Sequence, residues 1–468
     1  MVGFNALPLE LTTRIFRACI SKYKGEPDLV DRRQAPRLLT NVCSTWRRIA
    51  ISTPVLWSSL HIDFDSIERM PNFYKLVELW LSRAGNHALD ISIKGCLHAD
   101  DSDPGDREDY GIEEFFAIFV PHIQHIRVFS VFLSIDDLSL LEDRVENNKF
   151  LMLEELELGM NIEDIEDEEI EWIDTSLFRS ATKLRELDIQ FLPLSFFKGP
   201  LRQITDFSAQ GYNPQEARDA LARLPGVMRF GLDECRSSVS IGRVKPLVHS
   251  TLKHLNLTLE WSNMKSQTTI LQRLTLPSLE DLRLEHPAAV GNVLKEFLAR
   301  SSWPALKTLH LTPLAQHAPL QLEVFHKLTS LEELVICRPK TNDLKVFCEK
   351  FGSDPAFLPK IVRLTIDFRT QKSDAQAADP ASALQFISKA ATNRVALKPS
   401  WSLRTLRVKW EPQLTGTLAE EHLGALEALN KKGIVACIGA NTSNADTASS
   451  DSGDHDSGVE EDSDSEME

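Results

Sequence analysis

The most regular feature of the chain is a short motif in which apolar residues occupy the first, fourth and sixth positions. It recurs from residue 123 to residue 408, and the copies that begin at 252, 279, 306, 331 and 361 stand 25 to 30 residues apart. Apolar alternation predicts a short strand at each motif, and segments such as 293–299 predict helices between strands. One such unit cannot bury its own apolar side, so neighbours must stack. The pattern therefore predicts an α/β fold in which residues 121–438 form a solenoid, with a curved parallel sheet and outer helices.

The motif also shows where the predicted array is irregular. Its repeat length is that of leucine-rich repeats, but most copies lack the Asn or Cys that usually stands three positions beyond the last leucine. A 43-residue step between the copies at 184 and 227 leaves room for an irregular repeat near Leu201, Ile204 and Phe207. Residues 61–120 are interpreted as a linker or a first irregular repeat, with a helix over 73–84. We therefore expect a degenerate array in which no side-chain ladder runs the full length.

Polar positions of the predicted strands define a candidate binding surface. Side chains alternate along a strand, so the residues between the leucines face away from the core. This surface is acidic in the early strands and basic in the last one, and such a gradient would orient a charged partner. A solvated surface with incidental charge is the alternative interpretation. The candidate substrate-binding residues are Glu155, Glu157, Glu186, Asp188, His254, Arg283, His310, Arg363 and Arg407.

Residues 1–60 carry a different pattern, which predicts two helices. Leu7, Leu11 and Ile15 recur at steps of four and form one apolar stripe of a helix. A second apolar face follows over 36–50. A unit this small buries too little apolar surface to be stable by itself. It is therefore either the first layer of a larger core or a docking surface for a second protein.

The order of short motifs in this region resembles the F-box, in the form that is common in basidiomycete fungi. LPLEL and IF are followed by V-C-x-x-W-R-x-I-A and S-T-P-x-L-W within residues 4–62, although the connector between the two helices is longer and more charged than in the short form. The resemblance implies docking onto the Skp-type adaptor of a cullin–RING ubiquitin ligase. Carried over position by position, the adaptor-binding residues would be Leu7, Pro8, Leu11, Ile15, Phe16, Val42, Cys43 and Trp46. The degenerate repeats that follow are similar to those of F-box receptors.

Charge and cysteine content narrow the class of protein. The net charge of −16 argues against nucleic acid as the main partner, because phosphate backbones are bound by Lys and Arg. Ten acidic residues fall within 446–468, and the whole segment 439–468 is too polar to repay the entropy of folding. This tail is either a solubilising segment or a regulatory one, with phosphorylation candidates at Ser457, Ser463 and Ser465. Seven cysteines without C-x-x-C spacing indicate reduced thiols in the cytoplasm or nucleus.

The sequence contains no motif typical of an enzyme, a cofactor site or a metal site. It also has no apolar run long enough to predict a membrane span. The resemblance to the F-box implies a protein that binds an adaptor and an unidentified protein substrate. The charge and the hydropathy predict neither nucleic acid nor a membrane as a partner. The first hypothesis is the substrate receptor of a ubiquitin ligase. The alternative is a leucine-rich-repeat scaffold or inhibitor without a ligase role.

Overall fold

A computed structural model of the chain describes residues 7–20, 32–64, 73–95, 112–145, 149–160, 175–234, 246–258, 270–285, 290–312, 322–337, 339, 341–368, 380–397, 402–409, 427, 430–431 and 434–438. Within these ranges, fourteen strands form one sheet, and each strand lies parallel to its neighbours in chain order. The strands are β1 (Ser59–Asp63), β2 (Leu89–Lys94), β3 (Ile126–Phe132), β4 (Glu155–Gly159), β5 (Glu186–Gln190), β6 (Asp206–Gln210), β7 (Arg229–Asp233), β9 (His254–Leu257), β11 (Asp281–Glu285), β12 (Thr308–Thr312), β13 (Glu333–Cys337), β14 (Arg363–Asp367), β15 (Thr405–Lys409) and β16 (Val435–Ile438). Two further strands, β8 (Leu247–Val248) and β10 (Leu274–Thr275), pair with each other.

Helices precede the sheet and separate many of its strands. In the described residues they are α1 (Leu9–Ile20), α2 (Arg37–Val42), α3 (Ser44–Ile51), α4 (Phe73–Ala84), α5 (Ile112–Phe119), α6 (Ile135–Val145), α7 (Pro214–Arg223), α8 (Val290–Arg300), α9 (Leu322–Lys327), α10 (Thr341–Ser353) and α11 (Pro380–Leu397). They do not fill every connection, because residues 191–205 join β5 to β6 without a helix. The predicted α/β class, with a parallel sheet and helices, is confirmed, and the arrangement is compatible with a solenoid-like fold.

Two strands lie outside the regular motif. β6 fills the 184–227 step, where Phe207 and Ala209 are buried and the strand pairs with both β5 and β7. Its motif is Ile204, Phe207 and Ala209, which differs from the predicted positions because alanine is a weak apolar signal. β16 pairs with β15 and extends the sheet past the last predicted motif. At the other end, β1 and β2 belong to the same sheet, which therefore begins at Ser59.

A column of phenylalanine rings packs against the first strands of the sheet. The sequence predicts that no ladder of Asn side chains runs the full length of the array, and in this part the layers are joined by aromatic rings instead. Successive ring centroids lie 5.2 to 6.0 Å apart, a separation at which aromatic rings attract each other. Every ring is buried. The members of this phenylalanine column are Phe64, Phe115, Phe119, Phe129, Phe150, Phe178 and Phe197. Packing between aromatic rings thus links consecutive layers.

Two tryptophans attach the N-terminal helices to the sheet. The indole N–H of Trp57 donates to the carbonyl oxygen of Ala50 in α3 at 2.8 Å. The Trp57 ring meets the Trp80 ring of α4 edge-on, with centroids 5.0 Å apart. Trp80 in turn donates its indole N–H to the carbonyl oxygen of Ser59 in β1 at 3.0 Å. Both indoles are 2–3 % exposed, so α3, α4 and β1 share one buried junction.

Candidate protein-binding surfaces

The three N-terminal helices expose an unusual density of large apolar side chains. Thirteen such side chains are exposed in the described residues, and six of them lie between residues 9 and 51. Their exposed fractions run from 39 % to 57 %. We call these six the N-terminal apolar face, and its members are Leu9, Leu11, Ile15, Leu38, Val42 and Ile51. Exposed apolar side chains that gather on one surface are typical of a site that another protein covers.

Helix α1 exposes Leu11 and Ile15 because it packs against the chain through the neighbouring stripe of its surface. Thr12 and Phe16, four residues apart, are 3 % and 0 % exposed. Leu11 and Ile15 stand one position earlier, on the adjacent stripe, and are 45 % and 41 % exposed. A helix that packs against its own chain on one side leaves the second stripe to the solvent. The pattern predicted the stripe of Leu11 and Ile15 but could not tell which side the chain buries.

Helix α2 repeats this arrangement over fewer residues. Leu39 is 3 % exposed, whereas Leu38 and Val42, which stand four apart, are 44 % and 52 % exposed. Ile51, at the end of α3, is 39 % exposed. Leu9, Leu38 and Ile51 therefore extend the face beyond the residues that the F-box resemblance implied. Their apolar character next to a turn or helix end was the available signal.

The predicted adaptor-binding residues differ in their exposure: some are exposed, some are half-buried and one is buried. Leu11, Ile15 and Val42 are exposed members of the N-terminal apolar face, Pro8 is also exposed, and Leu7, Cys43 and Trp46 are half-buried. Phe16 is fully buried, so it does not belong to the accessible surface. Its ring lies 5.0 Å from that of Trp46 and supports the helices from beneath. The Cys43 sulfur accepts the backbone N–H of Trp46 at 3.5 Å and caps α3.

A groove of about 900 Å³ lies across one face of strands β3 to β11. Six carboxylates and two guanidiniums line it, so the groove is acidic. The charged lining residues are Glu155, Glu157, Glu186, Asp188, Asp206, Asp281, Arg229 and Arg283. We call this feature the acidic groove.

Strand register places the carboxylates of the acidic groove in rows. Glu155 of β4 pairs with Glu186 of β5, which pairs with Asp206 of β6. One step along the strands, Glu157 pairs with Asp188. Adjacent strands lie about 4.8 Å apart, and like charges directly opposite each other destabilise a sheet. The carboxylates within each row therefore repel each other unless a cation lies between them.

Only part of this negative charge is compensated within the described chain. Arg127 lies 2.8 Å from Asp90 and 3.2 Å from Glu155, and Arg229 forms an ion pair with Asp206. Glu186, in the middle of its row, has neither a hydrogen bond nor an ion pair to any described residue. Partial burial, together with the Glu155 and Asp206 carboxylates, raises the pKa of Glu186 above its ordinary value.

The second row is held by hydroxyl and amide donors. Ser208 donates to Asp188 at 2.5 Å, and burial raises the pKa of the Asp188 carboxyl. Glu157 accepts hydrogen bonds from Ser130 at 2.7 Å and from Gln190 at 2.9 Å. These neutral donors orient the carboxylates of Glu157 and Asp188 within the groove.

The remaining predicted substrate-binding residues lie in two different places. His254 and Arg283 line the acidic groove and flank Asp281, at 3.8 Å and 3.6 Å. His310, Arg363 and Arg407 are not among the residues that line it. Sequence reasoning omitted Asp206, because its strand carries the weak motif that ends in alanine.

The predicted basic side chains of the later strands differ in their surroundings. Arg363 is ion-paired with Glu333, with the Arg363 Nε 2.8 Å from the carboxylate. Arg407 is half-buried. His310 lies 3.5 Å from the Cys337 sulfur, and burial and the nearby Arg283 lower the pKa of His310 to about 4, which keeps the ring neutral. Among these three residues, Arg363 thus has its charge paired with a carboxylate, and His310 is neutral.

The predictions for the C-terminal tail fall outside the part of the chain that the structure describes. The phosphorylation candidates Ser457, Ser463 and Ser465 and the rest of the tail lie beyond the described residues.

In the residues that are described, no helix has the length and hydropathy needed to cross a membrane. A comparison of the chain with models of known protein families finds no match, and neither does a search of curated proteins.

Proposed function

We propose that the protein is a receptor that joins two other proteins: an adaptor on the N-terminal apolar face and a substrate in the acidic groove. This proposal rests on the difference in burial within α1: Phe16 is buried inside the chain, whereas Leu11 and Ile15 are exposed. The helices already pack through Trp57 and Trp80, so the exposed stripe has no remaining role in the interior. It is available to a second polypeptide.

The energetics of the N-terminal apolar face suit a helical partner. Fully burying a Leu, Ile or Val side chain is favourable by about 1.5–3 kcal/mol. Four of the exposed residues form two pairs at a spacing of four, Leu11 with Ile15 and Leu38 with Val42. Helix-in-groove recognition uses this spacing of apolar anchors. The resemblance of residues 4–62 to the F-box favours a Skp-type adaptor of a cullin–RING ubiquitin ligase as that partner.

The second half of the proposal concerns the repeats and the substrate. The spacing of the strand motifs, and the pairing of each strand with its neighbour in chain order, support a degenerate leucine-rich-repeat array. Its acidic groove is suited to a protein segment rich in Lys and Arg, since such a segment relieves the repulsion between the carboxylates within each row. Complementary charge mainly raises the association rate and excludes wrong partners. The receptor would act by proximity, with ubiquitin transfer carried out by other subunits.

Charge introduced on the exposed stripe of α1 tests the docking half. We expect Ile15→Asp to abolish capture of a purified Skp-type adaptor, because an aspartate would be buried without a partner in the interface. The thermal unfolding midpoint should change little, since Ile15 is exposed. Trp46 is a poorer probe because it also packs on Phe16. Capture would be measured by pull-down and quantified by calorimetry.

The matched control is Val346→Asp, which places the same charge on an exposed apolar position of α10. It should capture the adaptor like the native chain. Failure of the native chain to bind the adaptor, or equal binding by Ile15→Asp, would refute the ligase role. If the acidic groove still bound a cationic partner in that case, the protein would be a repeat scaffold or inhibitor, the alternative function.

Charge reversal in the acidic groove tests the substrate half. We expect Glu155→Lys combined with Glu186→Lys to weaken binding of a labelled decalysine peptide at least tenfold, because two attractive charges become repulsive. Binding to the native chain should also fall as salt is added. Glu157 and Asp188 are left in place, since they accept hydrogen bonds from Ser130 and Ser208. Fluorescence anisotropy at several ionic strengths gives both results.

A control pair, Glu296→Lys with Glu349→Lys, changes the net charge by the same amount on exposed helical positions outside the groove. Its peptide affinity should stay within about threefold of the native value, a difference of less than 1 kcal/mol. Equal weakening by both pairs would mean that the peptide senses only total charge, and the acidic groove would lose its proposed role.

A further inference from the structure

A second cleft, of about 250 Å³, lies between α2 and α4 and has the opposite charge from the acidic groove. Arg32, Arg37 and Arg83 all line it, and no carboxylate is found among its described lining residues. We call it the arginine cleft. In a chain of net charge −16, three guanidiniums around one cavity with no acid among its described lining residues are unexpected. Guanidiniums gathered at one cavity favour a bound anion, which reduces the repulsion between them.

Arg83 is the best-positioned cation of the arginine cleft. Its guanidinium carbon lies 4.3 Å from the centre of the Trp57 ring, which is itself fixed by the hydrogen bond to Ala50 and by Trp80. A guanidinium stacked on an aromatic face keeps its N–H donors free in the plane of the group. Arg83 forms no ion pair with any described residue, and partial burial lowers its pKa. The side chain is thus packed on an aromatic ring and partly dehydrated, with no counter-charge among the described residues.

Arg32 adds an exposed guanidinium that also has no ion pair in the described chain. Arg37 belongs to α2, whereas Arg83 belongs to α4, so the three cations approach the cavity from different elements. A carboxylate offers two oxygens in one plane, which one arginine can satisfy. Cations that converge from several directions are better matched to a tetrahedral oxyanion, which carries more charge and more acceptor oxygens.

We propose that the arginine cleft binds an oxyanion of the phosphate class, carried on a small soluble molecule. Its volume admits a phosphate or a short polyphosphate, whereas a folded partner could not enter. The bound anion would connect α2 to α4 and so stiffen the joint between the N-terminal helices and the sheet. This site is independent of the adaptor and substrate surfaces, because none of its residues belongs to the N-terminal apolar face or lines the acidic groove.

Calorimetric titration of the full chain with pyrophosphate, in metal-free buffer at constant ionic strength, tests this site. The native chain should bind pyrophosphate saturably and more tightly than inorganic phosphate. Arg83→Gln and Arg32→Gln should each weaken pyrophosphate binding at least tenfold. Arg404→Gln removes an exposed arginine at the opposite end of the sheet and should bind like the native chain.

Three further measurements decide the outcome. Unfolding curves without ligand establish that each variant is folded. If Arg83→Gln does not fold, Arg32→Gln tests the site by itself, because Arg32 is exposed. Arg83→Lys keeps the charge but loses the planar donors, and should bind with intermediate affinity. Absence of saturable binding to the native chain, equal loss in Arg404→Gln, or tighter binding of citrate than of pyrophosphate would each overturn the proposal.

Discussion

Replacing Arg394 with methionine is expected to lower the free energy of unfolding by about 3–5 kcal/mol, because several buried carbonyl groups lose a charged donor and each costs about 1–3 kcal/mol when left unsatisfied. Arg394 lies in α11 and is 0 % exposed. It donates to the carbonyl oxygens of Phe351 at 2.9 Å and Phe357 at 2.5 Å, and also to that of Asp354. Methionine fills a similar volume but offers no donor, so the carbonyls of Phe351 and Phe357 would lose this hydrogen bond, whereas that of Asp354 still accepts from the backbone N–H of Phe357.

The reason for this large effect lies at the end of α10. The last carbonyl groups of a helix have no partner within the helix, and leaving them buried and unsatisfied is costly. The chain turns directly after Ser353, and Leu358 adopts a positive φ of 51° within that turn. The planar guanidinium gathers acceptors from 351–358 in a single group, and its positive charge is also favourable at a helix C-terminus.

Chemical denaturation of three variants measures this contribution. Arg394→Lys should fall between the native chain and Arg394→Met, because an ammonium retains the charge but cannot reach all the carbonyls at once. Lys389→Met removes an exposed cation from the same helix and should change stability by no more than about 0.5 kcal/mol. A stability of Arg394→Met equal to that of Lys389→Met would show that the buried hydrogen bonds contribute little.

Local pattern was enough to predict the sheet, because each strand follows from its own few residues. The motif located most strands, and their alternation identified Glu155, Glu157, Glu186 and Asp188 as surface residues. The prediction failed where the apolar pattern is weak. The motif of β6 ends in Ala209, which is only weakly apolar, and β16 was not predicted. The role of Arg394 depends on contact between α11 and a turn about 40 residues earlier, which no local pattern contains.

The candidate surfaces were predictable only in part, since each depends on how elements meet. The helical period identified Leu11 and Ile15, yet whether their stripe or that of Phe16 is buried depends on where α3 packs. The acidic groove required strand register, which placed Glu186 opposite two other acids. Register also brings Arg363 of β14 next to Glu333 of β13, an ion pair that alternation within one strand could not show.

The phenylalanine column gives the second large effect. Phe178→Ala is expected to lower the free energy of unfolding by about 3–5 kcal/mol, because it removes a buried ring and leaves a cavity. Phe178 is 0 % exposed, and its ring lies 5.2 Å from that of Phe150, 6.0 Å from Phe197 and 6.4 Å from Phe129. The substitution therefore deprives three neighbouring rings of a contact at once. Denaturant unfolding monitored by circular dichroism measures the loss.

Phe178→Leu separates the effect of the cavity from that of the ring contacts, since it keeps most of the volume and should cost only about 1–1.5 kcal/mol.

The position of the phenylalanine column adds a functional consequence. In a stacked array each layer contacts mainly its neighbours, so loosening around Phe178 should spread to β4 and β5 before it reaches the N-terminal helices. Phe178→Ala should then lose affinity for the decalysine peptide at a temperature where adaptor capture persists. Simultaneous loss of both activities would mean that the helices and the sheet unfold as one cooperative unit, and that the two surfaces are not separable.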